Sequence, residues 1–318
     1  MTSTDAERDF SAAGTPASDE AKPEWYNPPG QSSVAEPSAA EETAVEPAEV
    51  ELIPRQRRGA GAVVAVVSGK PGTGKSTVVA NLACAIARDH RMAVAVVDLS
   101  LQFGDQALMF DAGSSPSMVD VLANIDALTP DFVLECMHQA HGLRILGAPP
   151  SPELADLVEA SHLSLIIQQL RMIFDFVILD TSSHLSDISL EAIDSADALV
   201  MVTTPYLAAV KDTKLLLKTM SDLGVPAAKL TAVLNRVEPA IKMGRDVLEA
   251  NLKFPISLEL PHVPGLLVDS VTDGVPLVLG KPNSDWGNRI AELSTLVVDT
   301  NAAKARKPKR GFLLGRAR

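Results

Sequence analysis

Seven short runs of apolar residues recur along this chain, at 62–67, 93–97, 143–147, 175–179, 197–203, 230–235 and 256–260. Each is long enough for one strand and too short for a helix that crosses a core. Between them lie segments that read as helices, over 75–88, 117–124, 130–140, 152–172, 187–194, 207–223 and 240–252, with a last one over 285–302. Strands that are apolar throughout, alternating with helices, predict a doubly wound, mostly parallel α/β sheet covered on both faces. In such a sheet a ligand sits at the carboxyl ends of the strands. No internal repeat is visible.

The alternation begins near residue 59 and ends near 303, which predicts one large domain between two tails. Residues 1–58 are rich in Ala, Glu, Ser and Pro and nearly free of large apolar residues. Such a segment cannot bury enough surface to offset its chain entropy, so it is expected to be disordered. Trp25-Tyr26-Asn27-Pro28-Pro29 is the exception within it: a short docking motif, or aromatics of no special role. The net charge of −12 is unevenly spread. Residues 1–52 hold twelve acids against Arg8 and Lys22, whereas 304–318 hold seven Lys or Arg and no acid. An acidic head and a basic tail suit opposite partners.

The chemistry concentrates after the first apolar run. Ser68-Gly69-Lys70-Pro71-Gly72-Thr73-Gly74-Lys75-Ser76-Thr77 lies between that strand and a helix, and Gly69, Gly74, Lys75 and Ser76 satisfy the phosphate-loop pattern. Glycines let backbone N–H groups approach phosphates, the helix N-terminus adds partial positive charge, and Lys75 reaches the outer phosphates. Ser76 offers a Mg²⁺ ligand. Two later strands end in carboxylates, at Asp98 and at Asp180, which can hold Mg²⁺ or orient an attacking water. These residues predict a nucleotide-phosphate and Mg²⁺ site. His184 has no partner His or Cys nearby and reads as a loop residue.

Lys70, directly after the first glycine, narrows the class. With it the loop resembles the deviant phosphate loop of the MinD/ParA ATPases, Gly-Lys-Gly-Gly-x-Gly-Lys-Thr, with Pro71 where that group usually has glycine. The resemblance covers about residues 60–300 and implies a P-loop NTPase fold of the SIMIBI type, with ATP as the nucleotide. It also implies an ATP-dependent homodimer in which Lys70 reaches the partner's nucleotide, with Lys75 and Asp98 as its catalytic companions. The cradle would be Gly69, Gly72, Thr73, Gly74, Lys75, Ser76 and Thr77. Asn235 and Arg236 would meet the adenine, and Pro261 the opposite wall. Thr181-Ser182-Ser183-His184 would sense the γ-phosphate, and Val210-Lys211-Asp212 resembles a helix start near the dimer and partner surface.

The run Asp98-Leu99-Ser100-Leu101-Gln102-Phe103-Gly104-Asp105 most resembles the CpaE/TadZ branch, which assembles Flp-type pilus machinery. Two departures stand out. That branch usually has a receiver-like domain ahead of the ATPase, and the group usually has a second Asp where this chain has Ser100. Serine cannot replace a full negative charge, so hydrolysis is slow or Asp105 substitutes. The resemblance leaves division-site placement, chromosome or plasmid partitioning, and a non-hydrolysing scaffold as alternatives.

The basic tail ends in Lys309-Arg310-Gly311-Phe312-Leu313, which is similar to the membrane-binding end of MinD. Each basic residue near an anionic surface contributes about 1 kcal/mol. Pro308, Gly311 and Gly315 weaken a helix there, so a merely solvated tail is the competing expectation. Overall acidity argues against a nucleic-acid partner. Cys84 and Cys136 form no CxxC spacing, no secretion signal opens the chain, and no apolar stretch approaches about 20 residues. A cytoplasmic protein is expected, peripheral at the inner membrane face if the tail binds, with a pilus or positioning component as protein partner.

Overall fold

The computed structural model describes residues 60–113, 115–238 and 243–306. The expected disorder of 1–58, the aromatic–proline cluster at 25–29 and nearly all of the basic tail lie outside the described residues.

Eight strands form one sheet: β1 (Ala62–Val67), β2 (Val94–Leu99), β3 (His138–Ala140), β4 (Leu143–Leu146), β5 (Phe176–Thr181), β6 (Ala198–Thr203), β7 (Leu230–Val237) and β8 (Leu258–Pro261). Their order across the sheet is β3-β4-β2-β5-β1-β6-β7-β8. All pairings are parallel except β3 with β4. The helices are α1 (Lys75–His90), α2 (Gln106–Met109), α3 (Met118–Leu122), α4 (Pro130–Glu135), α5 (Ala160–Ile173), α6 (Asp187–Ser195), α7 (Leu207–Asp222), α8 (Arg245–Leu252), α9 (Pro264–Thr272), α10 (Leu277–Gly280) and α11 (Asp285–Arg306).

The all-apolar runs are strands buried on both faces, and the side-chain period of two splits them between two cores. Val63, Ala65 and Val67 of β1 join Leu163, Ile166 and Leu170 of α5 on one face. Val64 and Val66 join α1 and α11 on the other. Trp286, Ile290, Leu293 and Val297 recur along α11 at helical spacing and all are buried there, which explains why so long a helix docks along its length. Connections from β1 and β6, which are neighbours, leave in opposite directions, so β1 ends at the topological switch point where such sheets bind ligands.

Several expected elements are corrected. The helix expected over 130–140 stops at Glu135, and His138–Ala140 forms β3 instead. His141 and Gly142, with φ of 48° and 76°, make a two-residue turn that folds β3 back onto β4. The helix expected over 152–172 divides at Val158 into a 3₁₀ turn, Pro152–Leu157, and α5, which Glu159 caps. The one expected over 240–252 is helical from Arg245, residues 239–242 lying outside the described set. The short helices α2, α9 and α10 carried no periodic signal.

Trp286 is fully buried in the core beneath α1. Trp286→Ala is expected to cost about 3–5 kcal/mol through lost burial and the cavity left behind. Chemical denaturation should show it as a lower midpoint with an unchanged slope.

Candidate functional site

The phosphate-loop residues lie between β1 and α1, as the motif requires, and two close approaches fix the loop's path. A side chain at Gly69 would place its Cβ 2.5 Å from the backbone carbonyl of Asp212, so the loop rests directly on the first turns of α7. Gly74 has φ of 90° and caps α1, and a Cβ there would collide with the Asn235 amide. That amide donates 2.8 Å to the Thr73 carbonyl, while its oxygen accepts from the Arg236 N–H at 2.9 Å. Asn235, expected at the adenine, thus fastens the loop from the end of β7. Arg236 takes φ of 60°, and Pro261 lies beside it, opposite Val237 across the β7–β8 pair.

The loop is built to receive an anion. No side chain caps the N-terminus of α1, and no acid occupies its first turn. The first-turn N–H groups therefore keep their affinity for negative charge. Lys75 is buried, and its ammonium donates to the Ser183 hydroxyl at 2.7 Å. Burial lowers its pKa and Asp180 works in the opposite direction. Gly72, Thr73, Ser76 and Thr77 complete the loop, with Thr73 almost wholly enclosed.

Asp98 and Asp180 are register partners in neighbouring strands, both buried. Asp98 accepts from the backbone N–H groups of Ser100 and Gln106, each at 3.0 Å. Burial, and then the charge of Asp180, push its carboxyl up to about 8. Burial raises Asp180 as well, opposed by hydrogen bonds from Gln106 and Ser76 and by the nearby Lys75. Gln106, which sequence reasoning missed, is fully buried and bridges the two sides of the site. Its amide donates to the Asp180 Oδ2 at 2.7 Å and to the Ser76 carbonyl at 3.1 Å. Only its place just after the Leu-Gln-Phe-Gly-Asp run hinted at a role.

Asp180 Oδ1 and Gln106 Oε1 are buried without hydrogen-bond partners. Two raised carboxyls, an orphaned carboxylate oxygen and the Ser76 hydroxyl form a hard-oxygen set that fits Mg²⁺ held jointly with a phosphate. Among the described residues there is no cluster of three or more His, Cys, Asp or Glu that could hold a metal by itself. Ser100 contributes only its backbone N–H to Asp98. Asp105 is exposed yet close enough for its charge to raise both buried carboxyls. Lys70 does not enter the pocket: its ammonium lies 3.6 Å from the Asp212 carboxylate, with 44% of the side chain exposed.

Residues 64–267 match the CobQ/CobB/MinD/ParA nucleotide binding domain family. The chain belongs to this family. A relative, the septum site-determining protein MinD of Thermotoga maritima, is 27% identical over 227 residues, spanning 69% of this chain and 82% of that one. Among solved structures, a ParA family ATPase from Chlorobium tepidum is 24% identical, covers 74% of this chain and 99% of that one, and superposes with a TM-score of 0.70. MinD of Pyrococcus horikoshii, solved with Mg-ADP, is 24% identical, covers 78% and 100%, and gives 0.67. These two share the doubly wound fold. As a member of the family the chain carries a nucleotide-binding domain over residues 64–267. Both cysteines of this MinD/ParA-type chain are free and buried. Among the described residues no helix is long and apolar enough to cross a membrane.

Two measurements check this geometry. Gly69→Ala should abolish binding of a fluorescent nucleotide, because the new methyl can be accommodated only by moving the loop off α7. The second concerns pH. The folded, nucleotide-free chain favours neutral Asp98, whose pKa stands above its unfolded value. Its stabilising contribution is full below the ordinary carboxylate range and is lost as pH rises through about 8. Thermal melts of the wild type should therefore fall more steeply between about pH 6 and 8.5 than those of Asp98→Asn.

Proposed function

We propose that this chain is an ATPase of the MinD/ParA kind that dimerises around ATP and Mg²⁺ and uses hydrolysis to release the dimer. The observation that carries the reading is the division of labour between two lysines. Lys75 is buried within its own loop, whereas Lys70 stands at the rim against Asp212, half-exposed and outside the phosphate pocket. A cation so placed is free to complete a neighbouring subunit's site. There it would stabilise charge on the transferring phosphoryl oxygens, as an arginine finger does.

In this reading the loop N–H groups and Lys75 bind the phosphates, and Asn235 keeps the loop in shape. Ser76, Asp98 and Asp180 would hold Mg²⁺, directly or through its waters. Bound there, Mg²⁺ supplies neutralisation of phosphate charge. Gln106 orients the Asp180 carboxylate. The position that would carry a water-activating carboxylate is Ser100, so turnover is slow unless Asp105 or a partner assists. The output is placement or assembly of a cell-surface machine. The Asp98–Asp105 run supports Flp-type pilus machinery. Division-site placement is the second reading, favoured by the septum site-determining relative. The basic residues 304–318, of which the first three close α11, would hold the dimer at an anionic membrane face, since two tails together gain avidity.

Size-exclusion chromatography with light scattering, in ATP analogue and in ADP, tests the switch. The wild type should dimerise only with the analogue. Lys70→Ala should remain monomeric in both while binding nucleotide within about threefold of wild type; an unaffected dimer would remove Lys70 from the interface. Ser100→Asp should raise ATP turnover at least about tenfold, read by phosphate release. Sedimentation with anionic vesicles, for the full chain and for one ending at Ala303, should show binding only with the analogue and only with the tail.

A further inference from the structure

The outer side of α7 carries a feature the nucleotide site does not use. Lys211, Lys214 and Lys218 are spaced by three and four residues, so they line one side of the helix. With Lys253, which follows α8, they border a groove of about 720 Å³ between the two helices. Leu215, Leu217, Val225 and Phe254 supply its apolar surface, and no Asp or Glu lines it. Leu215 is 59% exposed. Lys211 lies 3.8 Å from Asp212, whereas Lys214, Lys218 and Lys253 make no ion pair among the described residues. A chain with a net charge of −12 has thus collected four lysines around an apolar trough whose lining holds no carboxylate, and only Lys211 has an acid, Asp212, beside it.

We propose that this groove docks an amphipathic polypeptide segment of a partner protein, with acids flanking its apolar anchors. The charge of the rim selects the acids, and the apolar trough selects what lies between them. The dimensions agree. Lys211 and Lys218 stand seven residues apart on α7, about 10.5 Å along its axis, so a facing helix with acids at i and i+7 meets both. Concavity favours an inserted chain over a lipid bilayer, whose flat surface would reach the lysines but leave Phe254 and Val225 uncovered. The groove includes Leu230, where β7 begins, and Leu252, where α8 ends. It therefore runs from Lys211, one residue before the Asp212 that meets the phosphate loop, to the amino edge of the sheet, and since no phosphate-loop residue lines it, its occupant need not displace nucleotide.

The probe is a display library of helix-forming peptides of about 16 residues, long enough to span α7. It is panned on the full chain and counter-selected on the triple variant Lys214→Glu, Lys218→Glu, Lys253→Glu. Enriched peptides should carry acids about two turns apart around Leu, Phe or Met. The best of them, synthesised and labelled, should lose at least about tenfold in affinity on the triple variant, and again when its own acids become Gln. The three lysines are exposed, so melting temperature and nucleotide binding should stay at wild-type values. If the triple variant melts lower, the single exposed change Leu215→Asp makes the same comparison. No enrichment, enrichment of neutral or basic sequences, or affinity indifferent to these substitutions would overturn the proposal. Lysine-dependent sedimentation with vesicles of about 30% phosphatidylserine, without peptide binding, would overturn it in favour of a lipid surface.

Discussion

Two carboxylates held side by side in an apolar sheet are the constraint around which the rest of the site is arranged. The parallel register of β2 with β5 puts Asp98 against Asp180, and the strands on either side bury both. Water cannot relieve the repulsion, so protons, hydrogen bonds and neighbouring cations must. Every polar group nearby does part of that work. Two backbone N–H groups point at Asp98, the Gln106 amide and Ser76 hydroxyl serve Asp180, and the Lys75 ammonium lies close by. One carboxylate oxygen remains without a partner. A pocket carrying that unresolved demand has an intrinsic affinity for a divalent cation, and a helix N-terminus next to it supplies the complementary demand for phosphate. Neither half is fully satisfied alone, which is the physical reason to expect metal and nucleotide together.

The phosphate loop is held from two sides by contacts that only glycine permits. Gly69 lies on the backbone of α7, and Gly74 leaves room for the Asn235 amide. Both contacts come from the part of the sheet beyond β1, one from α7, which follows β6, and one from β7 itself. The loop's shape therefore depends on residues more than a hundred positions away. Lys70 shares this dependence, since its ion pair with Asp212 is on the same turn of α7 that supports Gly69.

How much of this was legible depended on whether the information was local. The phosphate loop was, because Gly69, Gly74, Lys75 and Ser76 do their work within one strand–loop–helix unit. Asp98 and Asp180 were legible as strand ends, although their pairing across β2 and β5 was not. Gln106 was invisible: it sits in a four-residue helix with no periodicity, and its importance arises only when Ser76 and Asp180 are brought to it. Asn235 was singled out for a contact with adenine, and the hydrogen bond by which its amide fastens the loop was not legible, because it joins residues far apart in sequence. The strand at 138–140 carried no signal of its own. His138, Gln139 and Ala140 favour no strand by composition, and pairing through the tight turn at His141 and Gly142 overrode the helical reading.

That same turn bears on how copies of the chain can meet. An open sheet has two borders, each a row of unpaired backbone groups that invites another strand. Here one border is the three-residue β3, folded back antiparallel, and the other is the four-residue β8, which ends in a proline. Neither offers the length needed for continuous strand addition, and Pro261 lacks the N–H that would donate to a newcomer. Sheet-to-sheet polymerisation is thereby suppressed at both ends.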